Sequence, residues 1–165
     1  MELDALLRWL EATSVATAIR ENEIFFPWIE SVHVLAITLV VGSIAIVDLR
    51  LLGLASLDRA VNLLTREVLP YTWVAFAVAA TTGALLFSSN AKTYAHNFFF
   101  QGKMILLILA GINMSLFHVF TGRGIDRWGE AAARPPFPAK IAGAVSLMLW
   151  VAVIGFGRWI GFTLH

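Results

Sequence analysis

The 165-residue chain contains no cysteine. That absence removes disulfides, thiolate metal sites, iron–sulfur clusters, covalent c-type haem attachment and thiol catalysis together. Charge is also scarce. Asp, Glu, Lys and Arg make up 14% of the residues, against about 25% in an ordinary soluble domain. The formal net charge of +1 gives no support for nucleic-acid binding. Four methionines are few and scattered, which disfavours a soft copper(I) site. No nucleophile–base pair, phosphate loop or carboxylate dyad is visible, so any enzyme activity is expected to be an oxidoreductase reaction at a cofactor. What is abundant is apolar surface: 59% hydrophobic residues and a mean hydropathy of +0.78. No single small core hides that much.

Four apolar stretches of span length predict an all-α integral membrane four-helix bundle. The spans are expected at about 27–50, 68–88, 101–121 and 138–160, within a single membrane domain covering 1–165. Residues 2–21 carry Glu2, Asp4, Arg8, Glu11, Arg20 and Glu21, so they lack the apolar region of a secretory signal. Leu3, Leu6, Leu7, Leu10, Ser14 and Ala18 share one face there. This predicts an amphipathic helix that lies in the interface or packs on the protein itself. Ser56 or Asp58 is expected to cap a short helix at 58–67, and 88–100 to form a polar loop ending in belt aromatics.

Four spans place both termini on one side, here called side A. Lys and Arg number five on side A (Arg8, Arg20, Lys92, Lys103, Arg158) and seven on side B (Arg50, Arg59, Arg66, Arg123, Arg127, Arg134, Lys140). The positive-inside rule then predicts a cytoplasmic side B and periplasmic N and C termini in a bacterial inner membrane.

Ionisable groups at membrane depth are costly and are the natural functional candidates. Depth follows from the helical rise of about 1.5 Å per residue. Glu30, His33, His96 and Lys103 cluster at side A. His118, fifteen residues beyond Lys103 and so roughly 22 Å deeper, joins Asp48 and Arg50 at side B. Asp48 and Arg50 read as interfacial charges that pair or snorkel. His118 is either a packing residue or a ligand. Glu30 and His33, three apart, face the same way; they form either an interfacial hydrogen bond or an oriented haem ligand. Gly42 and the mid-span glycines Gly83, Gly111 and Gly143 allow close helix packing or leave room for a flat cofactor. An imidazole beside such room suits a b-type haem.

The run from Phe26 through Pro27-Trp28-Ile29-Glu30 and His33 to Thr38, then Gly42 and Asp48-Leu49-Arg50, resembles an uncharacterised bacterial family of small four-span proteins. Pro70-Tyr71-Thr72-Trp73 and Gly102-Lys103-Met104 extend the likeness over nearly the whole chain. A histidine early in the first span, an arginine near its end and a lysine opening the third span are also distantly similar to two further groups. These are the haem-binding membrane protoporphyrinogen oxidases and the copper-resistance D membrane domains. The chain departs from the oxidase pattern at Leu39, where tryptophan occurs. The resemblance implies haem b, with functional roles at His33 and Lys103.

Two function classes therefore compete with a third. The first is a haem b-binding, cytochrome b-type membrane protein in electron transfer. His33 is its axial ligand; His96, His118 or Lys103 is a candidate second ligand, and an unidentified redox partner is implied. The second is a copper- or metal-handling protein using His33, His96 and His118. The third is a non-catalytic scaffold subunit. Membrane lipid is the expected surrounding, and a homo-oligomer follows from the large apolar faces.

Overall fold

A computed structural model describes residues 2–125, 130 and 133–163. Arg127, counted above among the side B cations, lies outside the described residues. Seven α-helices are found among the described residues: α1 Glu2–Glu11, α2 Ser14–Glu21, α3 Phe25–Leu52, α4 Val61–Ser89, α5 Ala91–His96, α6 Phe98–Leu116 and α7 Phe137–Thr163. A single π-helical turn, Phe117–Thr121, and a 3-10 turn, Gly122–Gly124, prolong α6. No strand occurs among the described residues.

The four long segments are sufficiently long and apolar to cross a bilayer. Their surfaces are inside-out relative to a soluble bundle: Leu35, Val74, Ile108 and Val151 all point outward. The protein is a multi-pass, all-α membrane bundle. In lipid the hydrophobic effect does not drive helices together, so close packing and interhelical hydrogen bonds must do so. Thr72 Oγ1 donates to Ser43 Oγ at 2.9 Å, joining α4 to α3. Asn113 Nδ2 donates to the Ala142 carbonyl at 3.0 Å, joining α6 to α7. At Gly143 an added Cβ would lie 3.0 Å from the Asp48 carbonyl oxygen, so α7 approaches the α3 backbone closely there.

The spans form an arc rather than a closed square. α4 packs along α3, α3 along α7, and α7 along α6. α6 has no buried residue and lies at the rim of the arc. α4 and α6 meet through side chains at side A, where Phe87 stacks on Phe100 with ring centroids 5.2 Å apart.

Several boundaries differ from the sequence expectation, each for a local reason. The N-terminal segment is two helices, because Thr13 caps α2 by accepting the Ala16 N–H at 3.3 Å. Both pack on the bundle, burying Leu7, Ala16 and Ile19 while leaving Leu3, Leu6 and Trp9 outward. Neither Ser56 nor Asp58 caps the next helix. It starts at Val61 and runs unbroken through Pro70 to Ser89. Pro70 forfeits one hydrogen bond to the Arg66 carbonyl, but both residues are exposed at the outer end of the span, where water can satisfy that carbonyl. The expected polar loop at 88–100 holds helix α5. Asn97 then caps α6, its Oδ1 accepting from the Phe99 and Phe100 N–H groups, so the third span begins at Phe98.

Candidate functional site

His33 lies eight residues into α3 and Thr82 seven residues before the end of α4. Each is thus roughly 10–12 Å from the side A end of its helix. The antiparallel pairing of α3 and α4 brings them to one level. His33 Nδ1 and Thr82 Oγ1 are 2.9 Å apart. Thr82 Oγ1 also lies 2.7 Å from the Val78 carbonyl and 3.2 Å from the Ala79 carbonyl of its own helix, and the Ala79 backbone bears on the His33 ring as well. With the hydroxyl proton on Val78, Nδ1 is the donor to Oγ1, and that tautomer leaves Nε2 as a lone pair.

Gly83 makes this geometry possible. A Cβ there would sit 2.9 Å from His33 Cε1, so a larger residue would push the ring away from α4. Lys103 comes to the same region from α6 and acts electrostatically on His33. Its stem lies along Gly157 of α7, whose added Cβ would be 3.7 Å from Nζ. Among the described residues the Lys103 ammonium has no ion-pair partner. Gly102 next to it is filled in the same manner by the Phe156 ring. Three glycines of the side A half thus receive an imidazole, a lysine stem and a phenyl ring.

An aromatic cluster covers this region. Tyr94 of α5 lies 6.3 Å from Phe87 and 5.9 Å from Phe100, centroid to centroid. Burial pushes the Tyr94 hydroxyl above the ordinary tyrosine range, and the Glu30 charge adds to that shift. The N-terminal helices fix the corner that carries Tyr94. Glu11 Oε1 accepts the Lys92 N–H at 2.8 Å in the first turn of α5. Arg20 donates to the Ser89 carbonyl at 3.2 Å at the end of α4.

The other candidate residues lie elsewhere. Glu30 is exposed and faces Tyr94 electrostatically, while Thr82 takes the ring hydrogen of His33. A three-residue spacing leaves Glu30 a turn nearer the helix end and out of the α3–α4 seam. Gly42 is on the outer surface, with nothing within 4 Å of an added Cβ. His96 is exposed on α5, with Nδ1 on the Lys92 carbonyl at 2.8 Å. His118 is exposed in the π-turn at the opposite end, with Nδ1 on the Met114 carbonyl at 2.8 Å. Among the described residues no three His, Asp or Glu side chains come together in a manner that would hold a metal ion.

The side B charges are not interfacial pairs. Asp48 and Arg50 are 5% and 0% exposed. Arg50 donates from Nε to the Arg59 carbonyl at 2.9 Å, and from Nη2 to the Glu130 and Ala133 carbonyls at 3.0 and 3.4 Å. Asp48 lies beside Ser146 of α7, and among the described residues its Oδ2 has no partner, like Arg50 Nη1. The guanidinium is thus used to tie two connecting segments to the end of α3.

Sequence reasoning did not single out Thr82, Gly83 as the receptor of His33, Phe156, Gly157 or the Phe87–Tyr94–Phe100 cluster as parts of the site. One signal was available. Thr81-Thr82-Gly83 is the polar and small interruption in an apolar span, at the depth of His33. No curated protein and no solved structure matches the chain. A family model matches residues 7–163, nearly the full length, and the chain belongs to that family of unknown function, DUF6644.

Proposed function

We propose that this protein is a haem b-binding membrane protein of the cytochrome b type, working in electron transfer or membrane redox chemistry, with His33 as an axial ligand. The observation that carries this reading is the seat of the His33 ring against α4, with Nδ1 2.9 Å from Thr82 Oγ1. With Nδ1 donating to Thr82, Nε2 is the nitrogen left to meet a metal. Metal-ligating histidines are oriented in this manner, the second nitrogen donating to a fixed acceptor. The residues present fit the group by two tests. The donor is a half-buried imidazole, and among the described residues α4 packs mainly on α3 and α6 mainly on α7, the two meeting at the Phe87–Phe100 stack.

Haem b, when bound, supplies a one-electron iron couple. The chain's own residues supply the rest. Thr82 fixes the ring, Gly83 makes space for it, and Lys103 brings an amine to the same region from α6. Lys103 and His96 are the side A candidates for a second ligand. His118 is at the far end of the bundle and cannot share a group with His33. We also assign the protein to a bacterial inner membrane with periplasmic termini, following the distribution of Lys and Arg.

The test is a visible spectrum of the detergent-purified protein, oxidised and reduced, after expression with ample haem. A b-type spectrum is expected, lost in His33→Ala and kept in His118→Ala. A colourless wild type, or a His33→Ala variant that retains full haem, overturns the reading. Circular dichroism on the same samples establishes that the variants are folded.

A further inference from the structure

The opposite end of the bundle holds a cleft unrelated to His33. It has a volume of about 350 Å³ and lies where the end of α3 meets the start of α7, lined by Leu52, Gly53, Leu57, Pro135, Arg134 and Lys140. α3 ends at Gly53, which adopts φ +76. The Gly53 N–H donates to the Arg50 carbonyl and the Leu54 N–H to the Leu49 carbonyl, which is the Schellman arrangement. Pro135 Cδ lies 4.0 Å from where a Gly53 Cβ would be. Arg50, through the Glu130 and Ala133 carbonyls, holds the segment that presents Arg134.

Two cations therefore meet at one cleft. Among the described residues neither Arg134 nor Lys140 makes a side-chain hydrogen bond or ion pair, whereas nearby Arg59 is paired with Glu67 at 2.8 Å. The remaining wall is apolar: Leu52, Leu57 and Pro135. Lys140 is three residues into α7 and Gly53 just beyond α3, so the cleft sits at headgroup level by the rise of about 1.5 Å per residue. Basic pockets between spans at this level suit the headgroups of anionic lipids.

We infer that this cleft binds the phosphate of an anionic phospholipid, with Arg134 and Lys140 meeting the phosphate oxygens and Leu52, Leu57 and Pro135 meeting the glycerol and first acyl carbons. A free phosphate offers the same oxygens but has nothing to place against the apolar wall. The site needs no haem, so it stands apart from the redox reading.

Native mass spectrometry of the full chain in an uncharged detergent tests this, with phosphatidylglycerol, phosphatidylcholine and inorganic phosphate as probes. One phosphatidylglycerol per chain is expected to be retained in preference to the other two. Arg134→Gln and Lys140→Gln should each weaken binding about fivefold, and together about thirtyfold. Lys140→Arg should retain it, and so should Arg66→Gln, which removes an exposed cation outside the cleft. Equal retention of phosphatidylcholine overturns the proposal. So does inorganic phosphate binding as tightly as the lipid, or a folded double variant that binds as the wild type does.

Discussion

His33 and Arg50 sit on the same helix, seventeen residues apart, and face the same difficulty. Each is a polar side chain taken out of water in a bundle with little polar surface. The two ends of α3 answer differently. At side A the group is an imidazole that can be neutral, and one hydroxyl satisfies one of its nitrogens. The ring is only partly buried. At side B the group is a guanidinium that stays charged. It is fully buried, and two of its nitrogens are used on three backbone carbonyls. The contrast shows that depth in the membrane alone does not mark a functional residue. The decisive question is which atoms remain after the structure has taken its share. Arg50 spends Nε and Nη2 on holding connecting segments, and only Nη1 is left without a partner among the described residues. His33 is held at Nδ1, on a ring set against α4.

Substitutions at the two ends should separate these roles. The largest effect is expected from Arg50→Leu. It strands three carbonyls that a charged donor now satisfies, and the cost is roughly 3–5 kcal/mol. Unfolding in detergent titrated with a denaturing surfactant measures it. A cost under about 1 kcal/mol, the scale of one ordinary hydrogen bond, would mean that Arg50 is dispensable to the side B connections. Next comes Gly83→Ala, whose Cβ would press on His33 Cε1. Overpacking of this kind costs about 1–3 kcal/mol. Gly42→Ala is the control. Its Cβ meets open space, and a helical Gly→Ala change there should stabilise by about 0.5–1 kcal/mol. If the two glycine variants behave alike, the close approach of His33 to α4 is wrong.

A narrower effect is expected from Thr82→Val. It keeps the shape of the side chain and removes the acceptor of the His33 Nδ1 hydrogen. Loss of such a partner typically lowers metal affinity about 10–100-fold. Under the proposed function, haem titration should show this weakening with little change in unfolding. Unchanged affinity would separate Thr82 from any role in ligation.

The smallest effect concerns Tyr94. Its acidity is shifted upward in the folded protein, by burial first and the Glu30 charge second. The folded state therefore holds the phenol proton more tightly than the unfolded chain does. The resulting stability is fully present below the unfolded value of about 10. It is lost as pH rises from there through the folded value. Tyr94→Phe should flatten the loss of stability on the alkaline side of about pH 10. An unchanged alkaline profile in that variant would show that the decline originates elsewhere.

Much of the architecture was legible in the chain. The expected first and fourth spans, 27–50 and 138–160, fall inside Phe25–Leu52 and Phe137–Thr163, because an apolar run long enough to cross hydrocarbon leaves few alternatives. The expected short helix at 58–67 and second span at 68–88 are one continuous helix, α4, which runs through Pro70. Asn97 was the missed start signal for α6, hidden in a polar stretch that read as loop. His33 and Lys103 were found because a charge or imidazole in an apolar run is conspicuous. Thr82 was not, since threonine within a span is readily satisfied by its own helix and carries no obligation to a neighbour.

The chain by itself determined the number of spans, the shared side of the termini and the depth of each polar residue. Depth is linear in residue number along a helix, at about 1.5 Å per step. Only the tertiary structure decided which residues meet at a given depth. That depends on how each helix is rotated about its axis and how closely its neighbours approach. These are fixed by small residues such as Gly83, Gly143 and Gly157 acting against particular side chains across the seam. Glu30 was near His33 in sequence and Thr82 far from it, but packing gave the ring to Thr82.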